Sequence, residues 1–323
     1  MHLVSDEDFA TGPTTPPSLD HLLTASSRTF ALTIPLLPEP TRCEVTVAYL
    51  LFRVADTLED SNRWDRPQKL DELTRFSDFL DAPTTDGAAQ LATRWHDDSP
   101  HPHAGYQELL ERLPEVIETL VGLRKNSRSA VIDHTQRTIK GMQSFVERER
   151  DGDLELTSLQ DLKDYCYAVA GIVGELLTEL FILGNPGLAA AAGELRDDAA
   201  TFGEALQLVN ILKDSDGDAA EGRRYLPAGI PRDEIFSRAH DDLVTAARYV
   251  KVLSDAGAAP GVLAFNALPV LLAHATLKRV QEQGPGSKIG RAAVMALVGR
   301  LQVARGLGTI PALLERMLYA KRT

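Results

Sequence analysis

From residue 19 onward, apolar side chains recur three and four residues apart, and no sustained period-two alternation of Val, Ile, Thr and aromatic residues interrupts them. That periodicity predicts an all-α fold, with helices over 19–29, 41–60, 67–80, 104–124, 128–150, 158–183, 188–217, 231–256, 260–282 and 287–320. Helical hairpins packed around a central cavity would accommodate them. Pro and Gly mark breaks at Leu37-Pro38-Glu39-Pro40, Asn185-Pro186-Gly187, Pro227 to Pro231 and Gln283-Gly284-Pro285-Gly286, which read as turns within one bundle. The polar stretch Asp81 to Gly105 reads as a long surface loop. Residues 1–18, rich in Pro and Thr, read as a disordered tail, leaving 19–323 as a single domain without a fixed-period repeat.

Composition narrows the classes. The chain is 44% hydrophobic and 25% charged, enough apolar material for a substantial core. Its formal net charge of −12 argues against nucleic acid as a partner, because phosphate backbones are held by clustered Lys and Arg. Cys43 and Cys166 each fall inside an apolar helical pattern and suggest no disulfide framework, which fits a reducing cytoplasm. The first residues lack the basic start and apolar run of a secretory signal, and no transmembrane segment of about 18 uninterrupted apolar residues is found. A lipid substrate would then be handled by a soluble protein or one peripheral to the membrane.

Two segments carry candidate chemistry. Tyr49 to Asp60 is an apolar helix closing on Asp56, Glu59 and Asp60, which share one face, with Arg53 a turn earlier. Like charges at that spacing repel, so either this is a solvated helix end or the acids serve an oxygen-coordinated divalent cation. Gln207 to Asp218 repeats the arrangement: Gln207, Asn210, Asp214 and Asp218 form a polar stripe at spacings of three, four and four. The run Asp214 to Asp218 also faintly resembles a calcium loop, without its distal Glu. Two opposed acidic faces fit Mg²⁺ better, and since Mg²⁺ binds through a few carboxylates together with phosphate oxygens, a diphosphate substrate is implied. Loss of diphosphate would leave an allylic cation, which Tyr49, Tyr165 and Phe265 could face if they do more than pack the core.

These segments resemble the squalene and phytoene synthase family, its squalene synthases most, over most of residues 22 to 300. Ser26-Ser27-Arg28-Thr29-Phe30 is similar to the family's Ser-Arg-Ser-Phe element, and Asp56-Thr57-Leu58-Glu59-Asp60 to its first aspartate-rich motif. Tyr165 to Gly174 resembles the Tyr-Cys-x-x-Val-Ala-Gly-x-Val-Gly helix, Asn210 to Asp218 the second acidic motif, and Gly222 to Pro227 its basic sequel. Phe265-Asn266-Ala267-Leu268-Pro269, Ala275-Thr276-Leu277 and Ser287 to Arg291 are similar to squalene synthase segments.

The resemblance implies a single-domain isoprenoid synthase bundle that joins two farnesyl diphosphates into presqualene diphosphate and reduces this to squalene with NADPH. The alternatives are release of dehydrosqualene or phytoene without reduction, or a silent prenyl-diphosphate-binding protein. By resemblance, Asp56, Glu59, Asp60, Asp214 and Asp218 would bind Mg²⁺, and Ser27, Arg28, Arg53 and Arg223 the diphosphates. Tyr49, Arg53, Tyr165, Gln207, Asn210 and Phe265 would serve catalysis; Arg28, Arg53, Lys213, Lys288 and Arg291 would hold NADPH. The chain departs from the family pattern at Lys213, where Arg is frequent, at Gly217, where many members have an acid, and at Gly290, inserted before Arg291. It is also expected to lack the anchor helix of the eukaryotic squalene synthases. Outside these motifs, His96, His101 and His103 read as residues of a solvated loop, Glu147 to Asp151 as a solvated helix end, and Gly171 and Gly174 as sites of a bend or close helix approach.

Overall fold

The apolar periodicity becomes fifteen α-helices in a computed structural model that describes residues 12–27, 29–150 and 152–319. The chain forms two compact units, Met1–Glu147 with Glu179–Pro186, and Arg148–Thr178 with Gly187–Thr323. In the first unit lie α1 (Pro17–Ser26), α2 (Phe30–Thr33), α3 (Thr41–Glu59), α4 (Arg66–Asp81), α5 (Thr85–Asp97), α6 (Ala104–Glu111), α7 (Leu113–Gly122) and α8 (Lys125–Val146). Helix α3 is its hub, packing against α1, α4, α6, α7 and α8. Fourteen of its nineteen residues are buried, among them Leu50, Leu51, Val54 and Leu58.

The second unit contains a strand β1 (Leu154–Glu155), α9 (Leu159–Cys166), a π-helical turn (Tyr167–Gly171), α11 (Ala192–Ala220), β2 (Arg223–Arg224), α12 (Arg232–Asp255), α13 (Pro260–Gln283), α14 (Arg291–Leu307) and α15 (Ile310–Leu318); α10 (Ile172–Gly184) follows the π turn. Helix α11 packs against α12, α13 and the π turn. Glycine makes the last contact close: a Cβ on Gly203 would stand 2.0 Å from the Ala170 carbonyl oxygen, and one on Gly174 2.0 Å from that of Ala199. The helix expected over 158–183 is therefore interrupted by a π turn at the glycines, where two backbones meet.

Several expectations need correction. The loop expected over 81–105 contains α5, capped where the Thr84 hydroxyl accepts from the Gly87 amide at 3.1 Å and seated by Ala88, Leu91, Ala92 and Trp95. The helix expected over 104–124 splits at Arg112, because Pro114 in the first turn of α7 has no amide to continue α6. The one expected over 287–320 breaks at Gly308, left-handed at φ 66°. One parallel two-residue pair, Leu154 with Arg223 and Glu155 with Arg224, supplements the helices. Two stretches, Leu159–Gly184 and Pro260–Gln283, are long and apolar enough to cross a membrane by length and composition; 50% of the apolar window in the first and 72% in the second is buried within the protein. Both cysteines are free and buried, and burial pushes the Cys43 thiol up to about 12.

Candidate functional site

In the first unit, the strongly buried α3 ends at the protein surface, so its last turn presents Asp56, Glu59 and Asp60 from a rigid support. Asp60 caps the helix, its amide donating to the Asp56 carbonyl at 2.8 Å. One turn earlier, Arg53 Nε lies 3.4 Å from the Tyr49 hydroxyl and one guanidinium nitrogen 3.3 Å from Asp56 Oδ2. The guanidinium stands 5.7 Å from the Tyr49 ring centre and 5.3 Å from that of Tyr106. Tyr49 is fixed in turn by donating to the Ser26 carbonyl at 3.0 Å and by Phe30, whose ring centre is 5.2 Å away. Tyr49, Arg53 and Asp56 thus meet as the helical spacing predicts, and Tyr106, which the sequence reading missed, completes the group.

Electrostatics follow from that setting. Burial pushes the Asp56 carboxyl up to about 6; Asp60 adds to the rise and Arg53 opposes it. Burial alone would lower Arg53, but Asp56 and Tyr49 outweigh it and hold the guanidinium firmly charged. A half-desolvated acid beside a second acid is a setting that a divalent cation would relieve, and carboxylate oxygen suits Mg²⁺. Among the described residues no three His, Cys, Asp or Glu side chains converge into a closed cage. An ion held by Asp56, Glu59 or Asp60 would therefore take its remaining ligands from water and phosphate oxygens, as Mg²⁺ commonly does.

Ser27 is half-buried, and its hydroxyl accepts from the Phe30 amide at 3.0 Å, shaping the entry to α2. Arg28 lies outside the described residues.

In the second unit, α11 runs unbroken through Gly217 to Ala220, so Asp214 to Asp218 is helix and the calcium-loop alternative is excluded. Gln207 is half-buried, Asn210 exposed, and Asp214 and Asp218 half-buried along this stripe. Lys213 Nζ lies 3.0 Å from Asp214 Oδ2 and donates to Asn210 Oδ1 at 3.4 Å. The Lys213 carbonyl accepts from the Gly286 amide at 2.7 Å, pinning the turn after α13 to the acidic end of α11. Arg223 is held by β2, where the Leu154 amide donates to the Gly222 carbonyl at 2.9 Å. Gly222, at φ 84°, is needed there, since a Cβ would lie 2.1 Å from Asp153 Oδ1.

Tyr165 is buried on α9 and donates through its hydroxyl to that of Tyr225 at 3.0 Å, the rings stacking with centres 4.6 Å apart. Tyr225 was not singled out from sequence; its place in the Gly222 to Pro227 element was the available signal. Phe265 is buried on α13, whereas Lys288 and Arg291 are exposed before and at the start of α14. The discounted histidines sit at the edge of α5 and α6, with His96 Nδ1 3.0 Å from Glu111 and the His103 ring 4.3 Å from that of Tyr106.

The family model for squalene/phytoene synthase matches residues 23–297. Squalene synthase of Saccharomyces cerevisiae is 30% identical over 213 residues, 65% of this chain and 45% of its own. That of Candida albicans is 28% identical over 256 residues, 79% of this chain and 53% of its own. The chain spans about half the length of the curated relatives it matches. Among solved structures, a ligand complex of TcSQS shares the fold at a TM-score of 0.70 and 25% identity, covering 98% of this chain and 93% of that one. A ligand-bound dehydrosqualene synthase shares it at 0.58 and 18% identity, covering 93% and 97%. One family model runs through both acidic motifs and the tyrosine, basic and Phe265 segments between and beyond them, so the chain belongs to the squalene/phytoene synthase family and has the all-α isoprenoid synthase fold.

Proposed function

We propose that this protein condenses two prenyl diphosphates head to head, and that the substrates are two molecules of farnesyl diphosphate, giving presqualene diphosphate and then, with NADPH, squalene. The observation that carries this reading is the Tyr49, Arg53 and Asp56 group at the acidic end of α3, within a chain matched to the family across residues 23–297. Asp56, Glu59 and Asp60, and Asp214 and Asp218, are the residues that would hold Mg²⁺. When bound, Mg²⁺ supplies Lewis-acid neutralisation of charge on the departing diphosphate. Arg53 adds a cation already oriented by Tyr49 and Asp56, and a guanidinium so fixed loses little freedom when it meets a phosphate. Ser27, Arg28 and Arg223 belong to the same diphosphate-binding role.

Closing the cyclopropane ring of presqualene diphosphate releases a proton. The Tyr165 and Tyr225 hydroxyls, 3.0 Å apart in a buried setting, offer a path for it. Gln207, Asn210 and Phe265 belong to the rearrangement that follows, Phe265 through its ring face. Lys213, Lys288 and Arg291, with Arg28 and Arg53, are the cations proposed for the phosphates of NADPH. A second reading stops before reduction and releases dehydrosqualene; it is favoured by the engagement of Lys213 with Asp214 and Asn210.

Product analysis with farnesyl diphosphate and Mg²⁺, with and without NADPH, separates the readings. Squalene formed only with NADPH supports the full reaction. Dehydrosqualene in both samples keeps the condensation and removes the reductive step; binding without diphosphate release would leave a silent prenyl-diphosphate-binding protein. Chelation by EDTA should abolish diphosphate release, with recovery on adding Mg²⁺, and turnover that survives chelation would remove the metal assignment. The reading puts the enzyme in the cytoplasm or at the membrane periphery.

A further inference from the structure

Away from the acidic motifs, α14 is apolar on two faces. Leu297, Leu301 and Ala304 pack inward, whereas Met295, Val303 and Leu307 are 62%, 63% and 71% exposed and follow one another at four- and eight-residue steps along an outer face. With Tyr319, they are four of the six large hydrophobic side chains exposed among the described residues. Arg291 and Arg300 flank this face on opposite sides, as the helical period requires. Beside it, a groove of about 1010 Å³ between α13, α14 and α15 is walled by Ile289, Ala304 and Leu313 and edged by the exposed Arg279 and Arg300, by Lys278 and by one acid, Glu282, which lies 4.0 Å from Lys278.

The local charge is the reverse of the molecule's. Between Gly284 and Tyr319 there are five Lys and Arg and one acid, Glu315, in a chain of formal net charge −12. Among the described residues, no carboxylate forms an ion pair with Arg291, Arg300 or Arg305. We infer that the outer face of α14, with the adjoining groove, is a docking surface for a lipid bilayer bearing anionic headgroups. The exposed apolar side chains enter the interface, and the arginines meet the lipid phosphates. A second copy of the chain fits less well, since a two-fold contact through this face would bring like-charged arginines together.

The test is flotation of the intact chain, without substrate, with vesicles of phosphatidylcholine alone and of phosphatidylcholine containing about a third phosphatidylglycerol. Binding should be at least about tenfold stronger to the anionic vesicles and should weaken in high salt. Leu307→Asp and Arg300→Glu should each reduce it about tenfold with helicity unchanged in circular dichroism. Equal binding to both vesicle types, binding to neither, or binding indifferent to both substitutions would overturn the proposal. So would a dimer in vesicle-free solution that Val303→Asp dissociates, because the face would then belong to a second copy. No substrate is present, so these outcomes are independent of the condensation reading.

Discussion

Asp161 shows how a single side chain can anchor the start of a helix. Its carboxylate accepts from the Thr157 amide and hydroxyl at 2.9 and 2.7 Å, while its own amide donates to the Ser158 hydroxyl at 3.0 Å. This cap fixes the start of α9, the helix that carries Tyr165. The Thr157 bonds, with Arg148 adding to them, hold the Asp161 carboxyl at about 2, below its ordinary 3.8. A lowered folded value means that the stabilisation is fully present above the unfolded value and is lost as pH falls through the folded one. Asp161→Ala should therefore cost about 1 kcal/mol in urea unfolding at neutral pH, and the gap from wild type should narrow between about pH 4 and pH 2. A gap independent of pH would assign the effect to packing. Tyr225→Phe removes the hydroxyl that accepts from Tyr165 and leaves the stacked ring. A loss of about tenfold in kcat at constant KM is expected, about the worth of one buried hydrogen bond. The place of Asp56, Glu59 and Asp60 at one helix end was legible because it follows from local spacing; the Tyr165 to Tyr225 contact was not, because it joins positions 60 residues apart.

At the scale of elements, the periodicity read well where large aliphatic side chains define a face, as in α3 and α13, and poorly where small ones do. Helix α5 was missed because two of its four buried residues are alanines, Ala88 and Ala92, in an otherwise polar run. The close approach at the π turn was foreshadowed by Gly171 and Gly174, but its partner on α11, Gly203, was not, since the pairing is tertiary. Gly174→Ala should destabilise the protein by about 1–3 kcal/mol, because its Cβ would meet a backbone oxygen that has no rotamer to change. Gly299→Ala, in the middle of α14 with nothing near its would-be Cβ, should instead stabilise by up to about 1 kcal/mol. Thermal unfolding of the two variants checks the contrast. Equal effects would mean that helix propensity, and not the close contact, sets the outcome at Gly174.

At the scale of the molecule, the acidic motifs stand on different compact units, Asp56 on one and Asp214 on the other. Each was legible alone, as carboxylates ending an apolar helix; that both serve one reaction follows from reading them as opposed faces around one diphosphate and from the family resemblance, and kinetics can decide it. Asp56→Asn and Asp214→Asn should each lower turnover by about 10²–10³-fold, the scale of removing one preorganised electrostatic group, with circular dichroism unchanged. Groups that act as a unit on one transition state lose their function together, so the double variant should fall little below the worse single variant. Separate steps would give a different pattern: one substitution would stop consumption of farnesyl diphosphate, and the other would let presqualene diphosphate accumulate. Full multiplication of the two effects, or intact turnover in either single variant, would remove that motif from the shared chemistry. The double variant therefore tests the feature of the proposed mechanism that neither acidic helix carries by itself.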